Sequence, residues 1–327
     1  MQLHQYIPLS DAGVSTITMT PSAIPFDAVV IVNSAAGTGR DASWAANLTT
    51  KFAEAGINAH VTLAKHGDEI YAATRAAIDD GIAIVVAGGG DGTINAVASQ
   101  LAGSTTLLGI LPLGTLNHFA KDLGISLELG AALQTIAARH HVQIDVAEVN
   151  GTVFVNNSSI GLYPQIVRHR EQQQRLGRSK WNAFFWALLS VFRRFPFYRI
   201  TVTVDGSEQH FKTPFVFIGN NHYTMEGFHI GERACIDAGQ LSFYTARGVG
   251  RLGILGLALS ALFGQLRQVS TFEALLATEL TITTRRRSLR VSTDGEVAVM
   301  AAPLQYRIRP RALRVIVPVA DDAHGVI

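Results

Sequence analysis

The sequence predicts an α/β domain built on a parallel sheet, followed by a domain of antiparallel strands packed as a β-sandwich. Two observations carry this. Up to about residue 145, short apolar runs alternate with stretches whose apolar residues recur at helical spacing, the pattern of a parallel sheet covered on both faces. Beyond it, the chain turns to period-two or β-branched runs separated by turn residues. The predicted organisation is a leader over 1–25, the α/β domain over 26–145, the sandwich over 146–318 and a tail over 319–327. The last strand of the sandwich is free to return to the first domain.

The elements follow in order. "DAVVIVN" (27–33) is a strand that ends in the loop "SAAGTGR", and Trp44, Leu48, Phe52 and Ala55 space a helix after it. "INAHVTL" (57–63) alternates like a strand, and Ile70, Thr74, Ala77 and Ile78 mark a second helix. "IAIVVA" (82–87) is a buried-strand run, with Ile94, Val97, Ala98 and Leu101 on one helix face beyond it. "LLGIL" (107–111) is the fourth strand, stopped by Pro112. In the second half, "RITVTVDG", "TPFVFIGNN", "QLSFYTA", "ELTITT", "SLRVSTDGEVAV" and "LRVIVPV" read as strands. Helical patterns interrupt them around 178–194 and 251–266.

Composition narrows the function. The chain has 327 residues, only 16% of them charged, and a net charge of +2, which excludes a general nucleic-acid binder. Mean hydropathy is +0.23, so much of the chain is interior or faces something apolar. The single cysteine, Cys235, excludes an intrachain disulfide and fits a reducing compartment, so the expected location is cytoplasmic. Leu252 to Leu266, the most apolar stretch, is bounded by Arg251 and Arg267 and falls short of the roughly 20 residues a bilayer needs. It reads as a core or cleft-lining helix. The leader lacks a basic start followed by an apolar block and so reads as a loose leader rather than a signal peptide.

The most informative stretch is "VVAGGGDGTINAVA" (85–98). Glycines at the carboxyl end of a parallel strand let backbone amides approach a phosphate, and the following helix N-terminus favours its charge. The same glycines also fit a tight turn under a helix. No Gly-Lys-Ser/Thr follows, and Thr93 stands where the dinucleotide fingerprint has its last glycine. Asp91 decides between them. A carboxylate beside polyphosphate is useful when it holds Mg²⁺, which neutralises the phosphate oxygens.

"GGGDGTINAVA" together with "LPLGTLNHFAKDLGI" (111–125) resembles the diacylglycerol-kinase catalytic family of lipid kinases, which includes the sphingosine and ceramide kinases and is distantly related to NAD kinases. The resemblance runs from about Ala28 to Pro318. It implies an ATP- and Mg²⁺-dependent kinase whose active site lies in the cleft between the α/β domain and the sandwich. Matched to the family's motifs, Asn33 and the loop through Gly37 are a first nucleotide-contact loop, although the usual Asn-Pro is Asn33-Ser34 here. Thr62 is a nucleotide-contact threonine. Gly89, Gly90, Asp91, Gly92, Thr93 and Asn95 form the ATP phosphate loop, with Asp91 on the metal, and Gly114, Thr115 and Asn117 form the second Gly-Thr segment.

The resemblance also assigns the base. "STDGEVAV" offers Asp294 and Glu296, and by similarity Glu296 takes the proton from the acceptor hydroxyl with Asp294 close by. Read alone, Asp-Gly between two alternating runs is a hairpin signal. Asp205-Gly206, in "TVTVDGSEQ", is the same dipeptide and reads as a plain turn.

Two positions depart from the family. Its Asn-Asp-Phe-Ala is Asn117-His118-Phe119-Ala120 here, and an imidazole suits a hydrogen bond to phosphate better than Mg²⁺. Its Asp-Asp-Gly-x-Leu, near a second metal, is Asp237-Ala238-Gly239-Gln240-Leu241. Asn156, Asn157 and Ser158 read as buried groups that bond to a loop at the domain junction. His140 and His141 read as surface residues, and the arginines at 285–287 as a solvated strand end.

Between 168 and 199, eight arginines and lysines flank Trp181, Phe184, Phe185, Trp186 and Phe192, against one acid, Glu171. Such a segment suits peripheral attachment to a membrane surface, where the lipid substrate would be met, and equally a helix packed on the sandwich. The expected function is transfer of the γ-phosphate of ATP to a hydroxyl of a membrane lipid such as diacylglycerol. The rivals are a soluble-substrate kinase of the NAD-kinase type and a non-catalytic binding protein of the same fold.

Overall fold

The structure, a computed structural model, describes residues 26–35, 39–161, 197–224, 232–233, 235–246 and 272–319. The leader, Gly37, the basic-aromatic stretch up to residue 196, the helical patterns around 178–194 and 251–266, and the tail from residue 320 lie outside the described residues. Among the described residues, no helix is long and apolar enough to cross a membrane.

The first half is built from β1 (Ala28–Asn33), α1 (Ala42–Glu54), β2 (Ala59–Ala64), α2 (Gly67–Asp79), β3 (Ile84–Gly89), α3 (Asp91–Leu101), β4 (Leu107–Pro112), α4 (His118–Asp122) and α5 (Leu129–Ala138). The strands run parallel in the order β2-β1-β3-β4. Buried on both faces, β3 has no exposed residue. It extends to Gly89, so the first two glycines of the phosphate-loop motif are strand residues. The Asp41 carboxylate caps α1 by accepting from the Trp44 amide, and the helix buries Leu48 and Phe52. The sequence reading did not separate α4 and α5 from their surroundings.

The second half comprises β5 (His141–Val149), β6 (Thr152–Phe154), β7 (Asn157–Gly161), β8 (Tyr198–Val204), β9 (Ser207–Thr213), β10 (Phe215–Asn220), β11 (Tyr223–Thr224), β12 (Glu232–Arg233), β13 (Leu241–Ala246), β14 (Phe272–Ala277), β15 (Glu279–Thr284), β16 (Ser288–Thr293), β17 (Glu296–Ala301) and β18 (Leu304–Ile316). One sheet has the order β14-β13-β10-β7-β16-β17, antiparallel in every pairing. The other face of the sandwich is continuous with the parallel sheet, in the order β2-β1-β3-β4-β18-β15-β8-β9.

β18 joins the two halves. It pairs with β5 along its length, while its other edge meets β15 over Leu304–Arg307 and β4 at Val315. A register shift between Arg309 and Leu313 bends it as it passes from one half to the other. The buried Asp145 fills this bend: its carboxylate accepts from the Arg311 amide at 2.8 Å and the Gly239 amide at 2.7 Å. The apolar side chains divide at the same level. Ile144, Val146, Leu313 and Val315 belong to the core of the α/β half, whereas Ala147, Val149, Tyr306 and Ile308 belong to the core of the sandwich.

Candidate active site

β1, β3 and β4 are neighbours and end level with one another, so the loops after them converge. Asn33, the last residue of β1, donates from Nδ2 to Thr93 Oγ1 at 3.2 Å and accepts the Ala35 amide at 3.0 Å. Thr93 is buried over Gly89, where a Cβ would come within 2.5 Å of the threonine hydroxyl. A Cβ on Gly114 would collide with the Gly90 Cα, so the second Gly-Thr segment lies backbone to backbone on the first loop. Steric demand thus fixes Gly89 and Gly114. At Gly92 the space is open. The Asp91 and Gly92 amides sit in the first turn of α3, where helix geometry leaves N–H groups without intrahelical acceptors.

The second segment folds on itself through Asn117, which adopts a left-handed conformation (φ 51°). Its Oδ1 accepts from the Gly114 amide, and its Nδ2 donates to the carbonyls of Gly114 and Pro112. This side chain is occupied within its own loop, while Thr115 and His118 are exposed. Arg40, which the sequence reading passed over, donates to the Asn33 carbonyl at 3.1 Å and the Leu113 carbonyl at 2.7 Å and ties the loops after β1 and β4 together. Thr62 lies on the edge strand β2 opposite Ile31, and no hydrogen bond joins it to the glycine loop.

Asp91 Oδ1 accepts from the Phe119 amide at 3.2 Å, so this carboxylate also holds the start of α4. Its other oxygen meets no donor among the described residues. No group of three or more His, Cys, Asp or Glu side chains capable of holding a metal occurs among those residues. A divalent cation here would have one protein carboxylate and would take its other ligands from phosphate oxygens and water. That donor set fits Mg²⁺ carried in by a nucleotide. Asp237 is exposed, and the amide of Gly239 beside it is bonded to Asp145.

Asp294 and Glu296 flank the β16–β17 turn, and the turn sends them apart. Asp294 (φ 48°) and Gly295 (φ 90°) form the two-residue connection between the paired residues Thr293 and Glu296. Asp294 Oδ2 accepts from the Val155 amide at 2.7 Å, and Oδ1 accepts from Asn156 at 2.8 Å and Asn157 at 2.9 Å. Burial pushes this carboxyl up to about 6, against the pull of the three amides and of the Arg233 charge. Asp294 therefore clamps the turn before β7. Glu296 is exposed and lines a cleft of about 200 Å³ with Tyr71, Asn95, Ser99, Thr152 and Thr293. Asn95 lies one helical turn along α3 from Asp91, and its buried Oδ1 has no hydrogen-bond partner among the described residues.

The junction turn is held from other sides too. Asn220 Nδ2 and Arg233 Nη1 both donate to the Val155 carbonyl, the Tyr223 hydroxyl donates to the Asn156 carbonyl, and Asn156 Oδ1 accepts from Arg233. Ser158 Oγ is bonded to the buried Tyr306 hydroxyl at 3.1 Å. The sequence reading expected these side chains to bond a loop; instead Ser158 of β7 bonds Tyr306 of β18, and Asn156 bonds Arg233 of β12. Arg233, Asp122 and Asp145 were not singled out there. Each is a lone charged residue whose partner lies far along the chain.

Comparison with known proteins identifies the family and the fold. Residues 27–149 match the family model of the diacylglycerol kinase catalytic domain, and residues 159–317 match the YegS C-terminal NAD kinase beta sandwich-like domain. A "Probable lipid kinase YegS-like" of Klebsiella pneumoniae (strain 342) is 41% identical over 114 residues, covering 34% of this chain and 38% of that protein. A second, of Citrobacter koseri, is 34% identical over 141 residues, covering 42% and 47%. These matches span less than half the length of the curated relatives. A solved structure described as a diacylglycerol kinase from Bacillus anthracis str. Sterne shares the fold, with a TM-score of 0.66, 23% identity and coverage of 90% of this chain and 98% of that one.

Proposed function

Because this chain belongs to the diacylglycerol kinase catalytic-domain family, we propose that it is an ATP-dependent lipid kinase, transferring the γ-phosphate to a hydroxyl of a membrane lipid such as diacylglycerol. One observation carries the proposal: Glu296 and Asn95 line one cleft, and Asn95 stands on the helix whose first turn is the phosphate loop. A carboxylate that can accept a proton thus shares a cleft with a residue one helical turn from the phosphate loop.

Each residue has a distinct part. The amides of Asp91 and Gly92 meet phosphate oxygens at the N-terminus of α3. Asp91 would hold Mg²⁺ through the oxygen that Phe119 leaves free. A divalent cation held there would supply charge neutralisation to the phosphate oxygens. Glu296 accepts the proton of the attacking hydroxyl. Asp294, with both oxygens engaged by amides, sets the turn that presents Glu296. Asn95 Oδ1 offers an acceptor for a second hydroxyl of the same headgroup.

The lipid would be met at the membrane surface. Residues 168–199 supply the basic and aromatic side chains for peripheral docking. At the described end of this stretch, Arg286 lies over the Tyr198 ring at 5.1 Å and Lys212 over Phe197 at 5.8 Å, the same pairing of cation and ring.

The test is transfer of labelled γ-phosphate into the organic phase from mixed micelles carrying diacylglycerol, monoacylglycerol, ceramide, sphingosine or phosphatidylglycerol, with NAD as a water-soluble acceptor in parallel. Label in a lipid, absent with Glu296→Gln, is the expected result. Label in NAD alone would replace the lipid reading with the soluble-substrate one.

A further inference from the structure

Arg233 is a cation enclosed where the two halves meet: its side chain is 1% exposed, and Asp122 is the carboxylate it touches. Nε and Nη2 donate to Asp122 Oδ2 at 3.0 and 2.9 Å, Nη2 also donates to Asn156 Oδ1 at 2.6 Å, and Nη1 donates to the Val155 carbonyl at 2.8 Å. The rings of Phe119 and Tyr223 lie 5.6 and 6.0 Å from the guanidinium carbon. Stability alone is a poor reason for such a group, because the desolvation of a buried ion pair offsets much of its attraction. A planar fork does something an apolar side chain cannot: it fixes the mutual position of several oxygen acceptors on separate segments.

The segments it joins are the two that matter for phosphoryl transfer. On one side is α4, whose start is held by Asp91 through the Phe119 amide and whose end supplies Asp122. On the other is the Val155–Asn157 turn, whose three amides hold Asp294, two residues from Glu296. A continuous set of short contacts therefore leads from the metal-binding carboxylate to the turn that presents the base, and Arg233 is the link between domains.

We propose that Arg233 is a positioning residue for phosphoryl transfer, a built-in cation that locks α4 to the Val155–Asn157 turn and so sets the reach between the phosphate loop and Glu296. The proposal rests on the kinase reading, since it assigns Glu296 as base. It treats Arg233 as touching neither nucleotide nor acceptor, so its loss lowers kcat and spares the binding of ATP. A displacement of about 1 Å between reacting groups is enough to cost roughly 100-fold.

The experiment compares the full-length protein with Arg233→Ala, Arg233→Lys and Asp122→Asn. It measures phosphate transfer and amide hydrogen exchange, with and without millimolar guanidinium chloride. For Arg233→Ala the expected result is a kcat about 100-fold lower with KM for ATP within about twofold. The amides of Phe119 and Val155–Asn157 should exchange faster together. Guanidinium should restore both turnover and protection. Arg233→Lys, which lacks the fork, should stay slow at full fold stability, and Asp122→Asn should resemble it. The proposal is overturned if exchange at the two segments does not change, if guanidinium restores protection without turnover, or if KM for ATP rises while kcat holds. If the unaltered protein phosphorylates no acceptor, the kinase reading has failed. Exchange alone then decides whether Arg233 couples the segments, unchanged protection again overturning it.

Discussion

Two hairpins of this protein share the same dipeptide and the same backbone but differ in use. Asp205-Gly206 joins β8 to β9 with φ values of 49° and 77°, and Asp294-Gly295 joins β16 to β17 with 48° and 90°. Both are two-residue connections in which two successive residues take positive φ, the demand that makes Asp-Gly so common there. At the first, Asp205 is exposed and its carboxylate meets no donor among the described residues. At the second, the carboxylate takes three amides of a distant turn. The comparison teaches that the dipeptide dictates the turn alone. What the side chain then does is decided by what the sheet carries past it.

The largest way to sharpen this comparison is at the residue just after each turn. Glu296→Gln should lower kcat on the order of 1,000-fold with ATP binding retained, because the proton acceptor is lost. Ser207→Ala, at the matching position of the first hairpin, should leave kcat unchanged, and steady-state kinetics on both settle it.

Next is the aspartate itself. Asp294→Ala strips three amides of their acceptor and should cost about 3 kcal/mol in denaturant unfolding. Asp205→Ala removes only a turn preference and should cost about 0.5 kcal/mol. Equal losses would mean that the clamp adds nothing to the turn.

The pH dependence separates the two further. Asp294 titrates at about 6 when folded, against 3.8 for the ordinary carboxyl, so the folded protein binds this proton more tightly than the unfolded chain. Its contribution is complete below the unfolded value and is lost as pH rises through about 6. The stability of the unaltered protein relative to Asp294→Asn should therefore fall by on the order of 2 kcal/mol from about pH 4 to about pH 7. The Asp205→Asn difference should stay flat over the same range.

The smallest effect should be one of sameness. Gly206→Ala and Gly295→Ala both place a side chain at positive φ and should each cost about 1 kcal/mol, within error of one another. A clear difference would break the premise that the two backbones are equivalent.

The same contrast explains how much was legible beforehand. The parallel strands were visible because residues such as Val85, Val86 and Ala87 are buried on both faces and leave continuous apolar runs. The phosphate loop was visible because Gly89 and Gly114 answer to local crowding that no other residue satisfies. β9 was missed: Ser207–Thr213 is the edge of its sheet and carries little apolar alternation. The clamp by Asp294 was hidden because its amides lie 137 to 139 residues earlier in the chain. Arg233 and Asp122 are 111 residues apart, and nothing local marks either as one half of a pair.

The path of β18 bears on how the protein is made. This strand, from Leu304 to Ile316, is inserted between β4 and β15 and supplies Leu313 and Val315 to the core of the first half. During synthesis the first half must therefore wait: β1 to β4 leave the ribosome early, yet the edge of β4 stays unpaired until nearly all of the second half has followed. An open strand edge invites the wrong partner. Until β18 has been made, the nascent chain carries a site for misassociation that this strand later closes.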